Sequence, residues 1–197
     1  MSLLHLIAFT KIKGIGPKTG RELLTRFGSA EAFFSASRQE LRALTGPASP
    51  VAESAYDKSI WRAAEDELTF IEKHQIRALS WTDDRYPKRL AECPDAPVLL
   101  YFKGNAPLDA LRIVSVVGTR HATPYGSAIC ADLIRDLAPY GVTVVSGLAQ
   151  GIDSCAHRSA LEYGLTTIGV LGHGLDRIYP AVNRQLAARM VEQGGLL

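Results

Sequence analysis

The chain of 197 residues is long enough for one large domain or two small ones. Its composition, with 47% apolar and 21% charged residues, is that of a globular protein and excludes disorder as the general state. The net charge of +2 neither requires nor excludes a polyanionic partner. Because no apolar run is long enough to span a membrane and no secretion signal opens the chain, we expect a cytoplasmic protein.

The first part of the chain, residues 1–75, shows helical periodicity and no strand pattern, which predicts a small helical domain. Proline at a first-turn position, glycine after the last turn and serine N-caps mark its helix ends. We expect helices over about Ser2–Ile12 and Pro17–Phe27, two short helices capped by Ser29 and Ser37, and one long amphipathic helix over Val51–Lys73.

From residue 76 to 197 short apolar strands alternate with helices, which predicts an α/β domain. The apolar run Ile113–Val117 is typical of a strand buried on both faces of a parallel sheet. We therefore expect a Rossmann-like, doubly wound parallel sheet in this domain. The expected strands are Ile76–Trp81, Val98–Phe102, Ile113–Val117, Val142–Val145 and Thr166–Leu171, and the expected helices are Pro124–Leu137, Ser154–Tyr163 and Ala181–Glu192.

Three glycine-rich loops, Gly118–Arg120, Ser146–Asp153 and Gly172–Asp176, follow consecutive predicted strands. Such loops meet at one edge of a parallel sheet, where glycine lets a ligand approach the backbone and helix N-termini favour anions. The alternative is that each glycine only makes a tight turn. Three such loops together, one of which carries an arginine, favour a phosphate site. The candidate residues are Gly118, Thr119, Arg120, Ser146, Gly147 and Gly151, with hydroxyl donation expected from Thr119, Ser146 and Ser154.

Signatures of common nucleotide enzymes are missing from these loops: there is no GxGxxG after Val117 and no GxxxxGK[ST]. The residue types Ser146, Asp153 and His157 suggest a hydrolase triad, but Ser146 lacks the preceding glycine of the G-x-S-x-G nucleophile elbow. Asp153 is better interpreted as a helix N-cap, and His157 as a hydrogen-bonded residue of the core or the site wall. We therefore expect no catalytic residue, no enzyme activity and no cofactor.

Three widely separated cysteines, Cys93, Cys130 and Cys155, form neither a CxxC pair nor an even framework. This spacing predicts buried, reduced thiols, without a disulfide and without a metal site.

The N-terminal 26 residues carry the one local charge excess, with five basic residues against Glu22. Within them, Lys13, Gly14, Gly16 and Lys18 belong to a short hairpin between two helices. In a helix-hairpin-helix element the hairpin amides cap a DNA phosphate and nearby lysines supply charge. The same motif also occurs as a pure packing unit, so both interpretations stay open.

Together these segments resemble the DNA-processing protein A family (DprA, also called Smf). The resemblance rests on the hairpin, on Arg85–Gly104, on Val117–Arg120 with Tyr125 and Gly126, on Ser146–His157, and on Leu171–Pro180 with Asn183. It implies a cytoplasmic bacterial protein of natural transformation that binds single-stranded DNA, protects incoming strands and helps to load the RecA recombinase. It also implies a SAM-like domain followed by a Rossmann-like domain that forms a homodimer, and a DNA pocket around Arg120 with Arg177 and Arg184 on its rim.

The family pattern continues past Leu197 with a Ser-Glu segment and an Arg-Asn-Arg stretch. We therefore expect the Rossmann-like domain, residues 76–197, to lack its C-terminal part, and the sheet to end at an unpaired apolar edge after Gly194–Leu197. The alternative function is a Rossmann-like nucleotide-hydrolysing enzyme of the phosphoribohydrolase kind, whose PGGxGTxxE segment is absent here.

Overall fold

The computed structural model describes residues 2–197, which divide into one unit that ends at Leu100 and a second that covers Tyr101–Leu197. The first unit begins with helices, as the periodicity predicts. They are α1 (Leu3–Thr10), α2 (Pro17–Phe27), α3 (Ala30–Ser35), α4 (Arg38–Thr45), α5 (Val51–Ala55) and α6 (Lys58–Lys73), followed by β1 (Arg77–Ser80) and α7 (Lys88–Ala91).

The predicted ends of α2 and the predicted N-caps of α3 and α4 are confirmed. The α2 helix runs from Pro17 to Phe27, and Gly28 ends it with a left-handed φ of 79°. Ser29 Oγ accepts the Ala32 amide at 3.1 Å, so it caps α3. Ser37 caps α4 in the same way. The domain boundary at residue 75 stays a prediction: α6 ends just before it, whereas the unit continues to Leu100.

The single long helix expected over Val51–Lys73 is wrong, because two helices with a break at Tyr56 and Asp57 occupy this stretch. Asp57 Oδ1 accepts the Ser59 amide at 2.8 Å and starts α6. Aspartate is a favoured N-cap residue, so a new helix starts here. The break is not visible in the hydrophobic pattern, because the apolar periodicity continues through it. The short helix α7 after Pro87 carries no periodic signal and was not predicted.

In the second unit strands and helices alternate. The strand β2 (Leu99–Gly104) crosses the boundary between the units. The remaining elements are β3 (Ile113–Ser115), α8 (Pro124–Leu137), β4 (Thr143–Ser146), α9 (Ile152–Glu162), β5 (Thr167–Gly169), α10 (Arg184–Gln193) and β6 (Gly195–Leu196), with 3-10 turns at Ala138–Tyr140 and Ala181–Asn183.

Within residues 2–197, six strands form one sheet in the order β1-β2-β6-β5-β4-β3. Strands β3, β4, β5 and β6 are parallel, whereas β2 pairs antiparallel with β6, so the sheet is mixed. The expected doubly wound topology is wrong for residues 2–197. Successive parallel strands add on one side only, without the reversal of direction that double winding requires.

Two expectations about the sheet edges are also wrong. The apolar run Ile113–Val117 does not form a doubly buried strand: β3 is an outer strand, and the Val117 side chain is 87% exposed. The strand expected at the C-terminus exists, but its edge is not unpaired. Leu196 pairs with Gly169 on one side and with Lys103 on the other.

The hydrophobic cores of the second unit lie between its helices and strands. One cluster joins Ile134 of α8, Val144 of β4 and Ala160 of α9. A second cluster joins Leu148, Met190 of α10 and Leu196 of β6. Burial of this apolar surface holds the strands in register and places their carboxyl ends at one edge. No helix among residues 2–197 is both long and apolar enough to cross a membrane.

Candidate nucleic-acid interface

All three predicted loops meet at the edge where β3, β4 and β5 end. They line a cavity of about 340 Å³. Of the predicted residues, Arg120 and Gly147 line it, and the structure adds residues that sequence reasoning did not single out. The full lining is Arg120, His121, Gly147, Ala149, Gln150, Gly172, His173, Tyr179 and Pro180.

The first and second loops are locked together by close backbone contact. The Ile152 amide donates to Thr119 O at 3.1 Å. A Cβ on Gly151, whose φ is 81°, would lie 2.2 Å from Thr119 O. A Cβ on Gly118 would lie 2.6 Å from the Ile152 side chain. These two glycines therefore serve loop packing rather than the approach of a ligand, and their packing fixes the backbone at Arg120.

The second loop has its own scaffold below the cavity. Leu148 is fully buried and has a left-handed φ of 59°. Asn183 Nδ2 donates to Leu148 O at 2.9 Å and to Ser154 Oγ at 2.8 Å, and the Ser154 hydroxyl donates to Ala149 O. Asp153 Oδ2 accepts the Ala149 amide at 3.3 Å. Buried side chains thus hold the loop shape in place.

The expectation that Ser146 and Ser154 donate hydroxyl hydrogen bonds to a phosphate is wrong. Ser146 is buried, and its hydroxyl donates to Val116 O at 2.7 Å, so it ties β4 to the chain after β3. The Ser154 hydroxyl is engaged with the second loop. Thr119 is exposed, and its Oγ1 accepts the His121 amide at 3.1 Å. The sequence does not show that Ser146 is buried, because a strand turns alternate residues inward whether they are polar or apolar.

The imagined hydrolase triad is not assembled. His157 is fully buried, and its Nδ1 lies 2.7 Å from Thr167 Oγ1, which itself donates to Val144 O. Burial lowers the pKa of His157 to about 4, although the negative charge of Asp153 opposes this shift. His157 is therefore a neutral core histidine, as one interpretation predicted. The N-cap role expected for Asp153 is wrong, because Gly151 occupies that position.

Arg120 is the exposed cation of this cavity. None of the ion pairs among residues 2–197 involves it, so its guanidinium can bind an anion. Tyr179, 71% exposed, adds an aromatic ring to the lining. Arg177 and Arg184 are exposed but do not line the cavity. No group of three metal-ligating side chains occurs among residues 2–197.

The predicted hairpin forms part of the first unit, where Lys13, Gly14, Gly16 and Lys18 are all exposed. The Lys13 amide donates to Ser54 Oγ at 3.0 Å, so it cannot cap a phosphate in this arrangement. A Cβ on Gly14 would lie 2.9 Å from the Pro50 ring, which shows close packing at the turn. DNA contact by this hairpin stays a prediction that rests on its two lysine side chains.

A larger groove of about 780 Å³ lies beside this hairpin. Of its two arginines, Arg21 is engaged, since it donates to Cys93 O at 2.5 Å and stacks over the Trp81 ring, whereas Arg26 is exposed. Glu22 also lines the groove and offsets its positive charge. We prefer the smaller cavity as the functional site, because it combines an exposed arginine with an exposed aromatic ring at the edge where the three glycine-rich loops meet.

Comparison with known proteins identifies relatives of both parts of the chain. A family model described as DNA recombination-mediator protein A matches residues 77–197, and one described as a SAM-like helix-hairpin-helix tandem matches residues 6–49. Protein Smf of Synechocystis is 35% identical over 202 residues, which cover 98% of this chain and 50% of that protein. DNA processing protein DprA of Streptococcus pneumoniae is 44% identical over 115 residues, which cover 58% of this chain and 40% of that protein.

Two solved structures are similar to the whole fold or to most of it. The X-ray structure of DprA from Streptococcus pneumoniae has a TM-score of 0.70 and 26% identity, and the match covers 100% of this chain and 66% of that one. The DprA structure from Helicobacter pylori, described for its single-stranded DNA binding mode, has a TM-score of 0.55 and 33% identity over 62% of this chain and 54% of that one.

The chain spans half or less of the length of the curated relatives it matches, 50% for Smf of Synechocystis and 40% for pneumococcal DprA. The family model nevertheless matches residues 77–197, which is more than half of the chain. The helix-hairpin-helix segment and the Rossmann-like sheet follow one another as expected. The chain therefore belongs to the DNA recombination-mediator protein A family, also called DprA or Smf.

Proposed function

We propose that this chain binds single-stranded DNA in the three-loop cavity at the carboxyl edge of its sheet. The observation that carries the proposal is Arg120, an exposed guanidinium with no ion-pair partner among residues 2–197, on a loop that Gly151 and Ile152 hold in place. A planar guanidinium matches the geometry of a phosphate, and a fixed backbone reduces the entropy lost on binding.

The other lining groups support a nucleic acid rather than a small anion. Tyr179 offers a surface on which a base stacks, and such stacking contributes to binding regardless of sequence. His121 and Gln150 add polar groups beside Arg120. The structure of the Helicobacter pylori relative is described for its single-stranded DNA binding mode, which supports single-stranded DNA as the ligand.

Further roles follow from family membership and are proposals of the same kind. We place the chain in natural transformation, where it protects incoming single strands and helps to load RecA, and we propose a homodimer through the Rossmann-like domain. Arg177 and Arg184 act as outer phosphate contacts, and Lys13 and Lys18 of the hairpin add charge on the first unit.

We also propose that the chain has no turnover of its own. The side chains that could have formed a triad have other partners: Ser146 is bonded to Val116 O, and His157 to Thr167. The alternative, a nucleotide-hydrolysing enzyme, is tested by incubation with nucleoside monophosphates. If the unmodified chain releases the base from these nucleotides and Arg120→Ala does not, nucleotide hydrolysis and not DNA binding is the function of this cavity.

The binding experiment compares three proteins on a fluorescent oligothymidylate at low salt. Arg120→Ala should weaken binding about tenfold, since a charge-assisted contact contributes roughly 1.5 kcal/mol. Arg189→Ala, which removes an exposed arginine of α10 outside the cavity lining, is the matched control and should bind like the unmodified chain. Equal affinity of all three proteins would refute the site.

A further inference from the structure

Two cysteines of the second unit, far apart in sequence, lie against each other in the fold. Cys130 of α8 is buried, and Cys155 of α9 is partly buried. Cys130 belongs to the buried cluster that joins the two helices, Cys155 packs against that cluster, and the two thiols lie close enough to interact. The sequence spacing that argued against a disulfide gave no sign of this contact.

The two sulfurs are arranged reciprocally across the helix pair. Cys130 Sγ lies 3.9 Å from Ile152 O, one turn before Cys155. Cys155 Sγ lies 3.3 Å from Ser127 O, one turn before Cys130. Each thiol therefore lies over the turn that precedes the other cysteine, so the two side chains point into the same narrow space between the helices.

We propose that Cys130 and Cys155 are a reversible oxidation site, at which a low-molecular-weight disulfide converts the two thiols into an intramolecular disulfide. The Cys155 thiolate attacks one sulfur of the small disulfide, forms a mixed disulfide and releases one thiolate. Deprotonated Cys130 then attacks Cys155 Sγ and releases the second. The protein loses two protons and two electrons, and the small disulfide is reduced to two thiols.

The order of these steps follows from the surroundings of the two thiols. Burial, together with the adjacent Cys155 thiol, raises the pKa of Cys130 to about 11, so little thiolate forms there at neutral pH. Cys155 is the more accessible of the two, so its thiolate is the first to attack the small disulfide that arrives from solvent. Cys93 is exposed, so its reaction with the small disulfide measures the reactivity of an accessible thiol outside this pair.

The bond would join the helices that follow the first and second loops of the cavity, α8 and α9. This inference rests on the contact between the cysteines alone and holds whether or not the cavity binds DNA. Closing the chain between residues 130 and 155 should also stabilise the fold, because it restricts the unfolded chain.

The test incubates the folded chain with oxidised glutathione, blocks remaining thiols by alkylation and maps the products by mass spectrometry. We expect one disulfide between the peptides of Cys130 and Cys155, a mass lower by two hydrogens, and a higher melting temperature, all reversed by dithiothreitol. The ratio of this disulfide to the mixed glutathione disulfide should fall more than about tenfold in urea, because unfolding removes the proximity of the thiols.

Two variants act as controls. Cys93→Ser should form the bond as the unmodified chain does, whereas Cys155→Ala should leave Cys130 as a free thiol. The proposal is overturned if glutathione remains on Cys155 in the folded chain, if the bond forms equally well in urea, or if Cys130 pairs with Cys93.

Discussion

At the scale of single residues, polar side chains beneath the cavity make hydrogen bonds within the fold, whereas no ion pair within residues 2–197 involves Arg120 at the cavity surface. Ser146, Ser154 and His157 each satisfy a buried backbone or side-chain group. A buried polar group without a partner costs free energy, so these bonds secure the loops on which Arg120 depends. Two residue-scale predictions follow from buried or crowded positions, His157 and Gly151.

Stability should fall in mild acid because of His157. Burial lowers the pKa of His157 from 6.5 to about 4 in the folded chain, so the unfolded chain takes up the proton first as the pH falls. The free energy of unfolding should therefore decrease by about 2 kcal/mol between pH 7.5 and pH 5. Urea unfolding at both pH values measures it.

His157→Gln should flatten this pH dependence, while the same change at the exposed His74 should leave it intact. A pH slope that His157→Gln leaves unchanged would mean that another group is responsible.

Gly151→Ala should destabilise the fold more than its backbone conformation alone explains. The new Cβ would lie 2.2 Å from Thr119 O and 2.8 Å from the carbonyl carbon of Arg120. Gly164 provides the control: its φ of 71° is also left-handed, but nothing lies within 4 Å of an added Cβ. We expect a cost of about 1 kcal/mol for Gly164→Ala and about 3 kcal/mol or more for Gly151→Ala.

Urea unfolding of both variants makes the comparison. Equal losses of stability would show that the contact between the first and second loops is not tight.

At the scale of elements, the loop between β4 and α9 takes its shape from a residue far along the chain. Asn183, 2% exposed, reaches Leu148 O and Ser154 Oγ from the turn before α10. The contact joins α9, α10 and the loop that contributes Gly147 and Gln150 to the cavity.

Asn183→Ala should cost about 1–3 kcal/mol of stability, because it leaves the buried Leu148 carbonyl without this donor. It should also weaken DNA binding, since the loop then loses its fixed shape.

Asn105 provides the matched control. Its Nδ2 also donates to a backbone carbonyl, Glu192 O at 2.9 Å, but at an exposed position where water can replace it. Asn105→Ala should therefore leave both stability and binding nearly unchanged, and similar losses in the two variants would contradict the proposed role of Asn183.

Local signals predict the elements that depend on local chemistry. Pro17 and Gly28 mark α2 correctly, and Ser29 and Ser37 cap the helices expected of them. The β-strand and loop order also predicts that the three glycine-rich loops share one edge. These features follow from hydrophobic period, capping and the geometry of parallel strands.

What the sequence could not predict depends on contacts distant in the chain. The outer position of β3 and the pairing of β6 between β5 and β2 follow from strand order, which periodicity does not encode. The same holds for the partners of Ser146, for the position of Asn183 below the loop, and for the contact of Cys130 with Cys155. The break in the long helix at Asp57 is local, but an unbroken apolar pattern conceals it.

At the scale of the whole molecule, a net charge of +2 gives little general attraction for a polyanion. Part of the basic excess near the N-terminus is also neutralised, since Lys11 pairs with Glu67. The proposed binding of single-stranded DNA therefore depends on a few placed cations, and Arg120 is the arginine that lines the three-loop cavity. Its contribution is measurable as counterion release.

The most direct test is the salt dependence of single-stranded DNA binding, measured by fluorescence anisotropy for the unmodified chain, Arg120→Ala and the control Arg189→Ala. One phosphate neutralised by Arg120 should contribute about 0.7 to the slope of log K against log salt concentration. We predict that Arg120→Ala lowers the magnitude of the slope by this amount and that Arg189→Ala leaves it unchanged. An identical slope in all three proteins would contradict the assignment of the three-loop cavity as the DNA site.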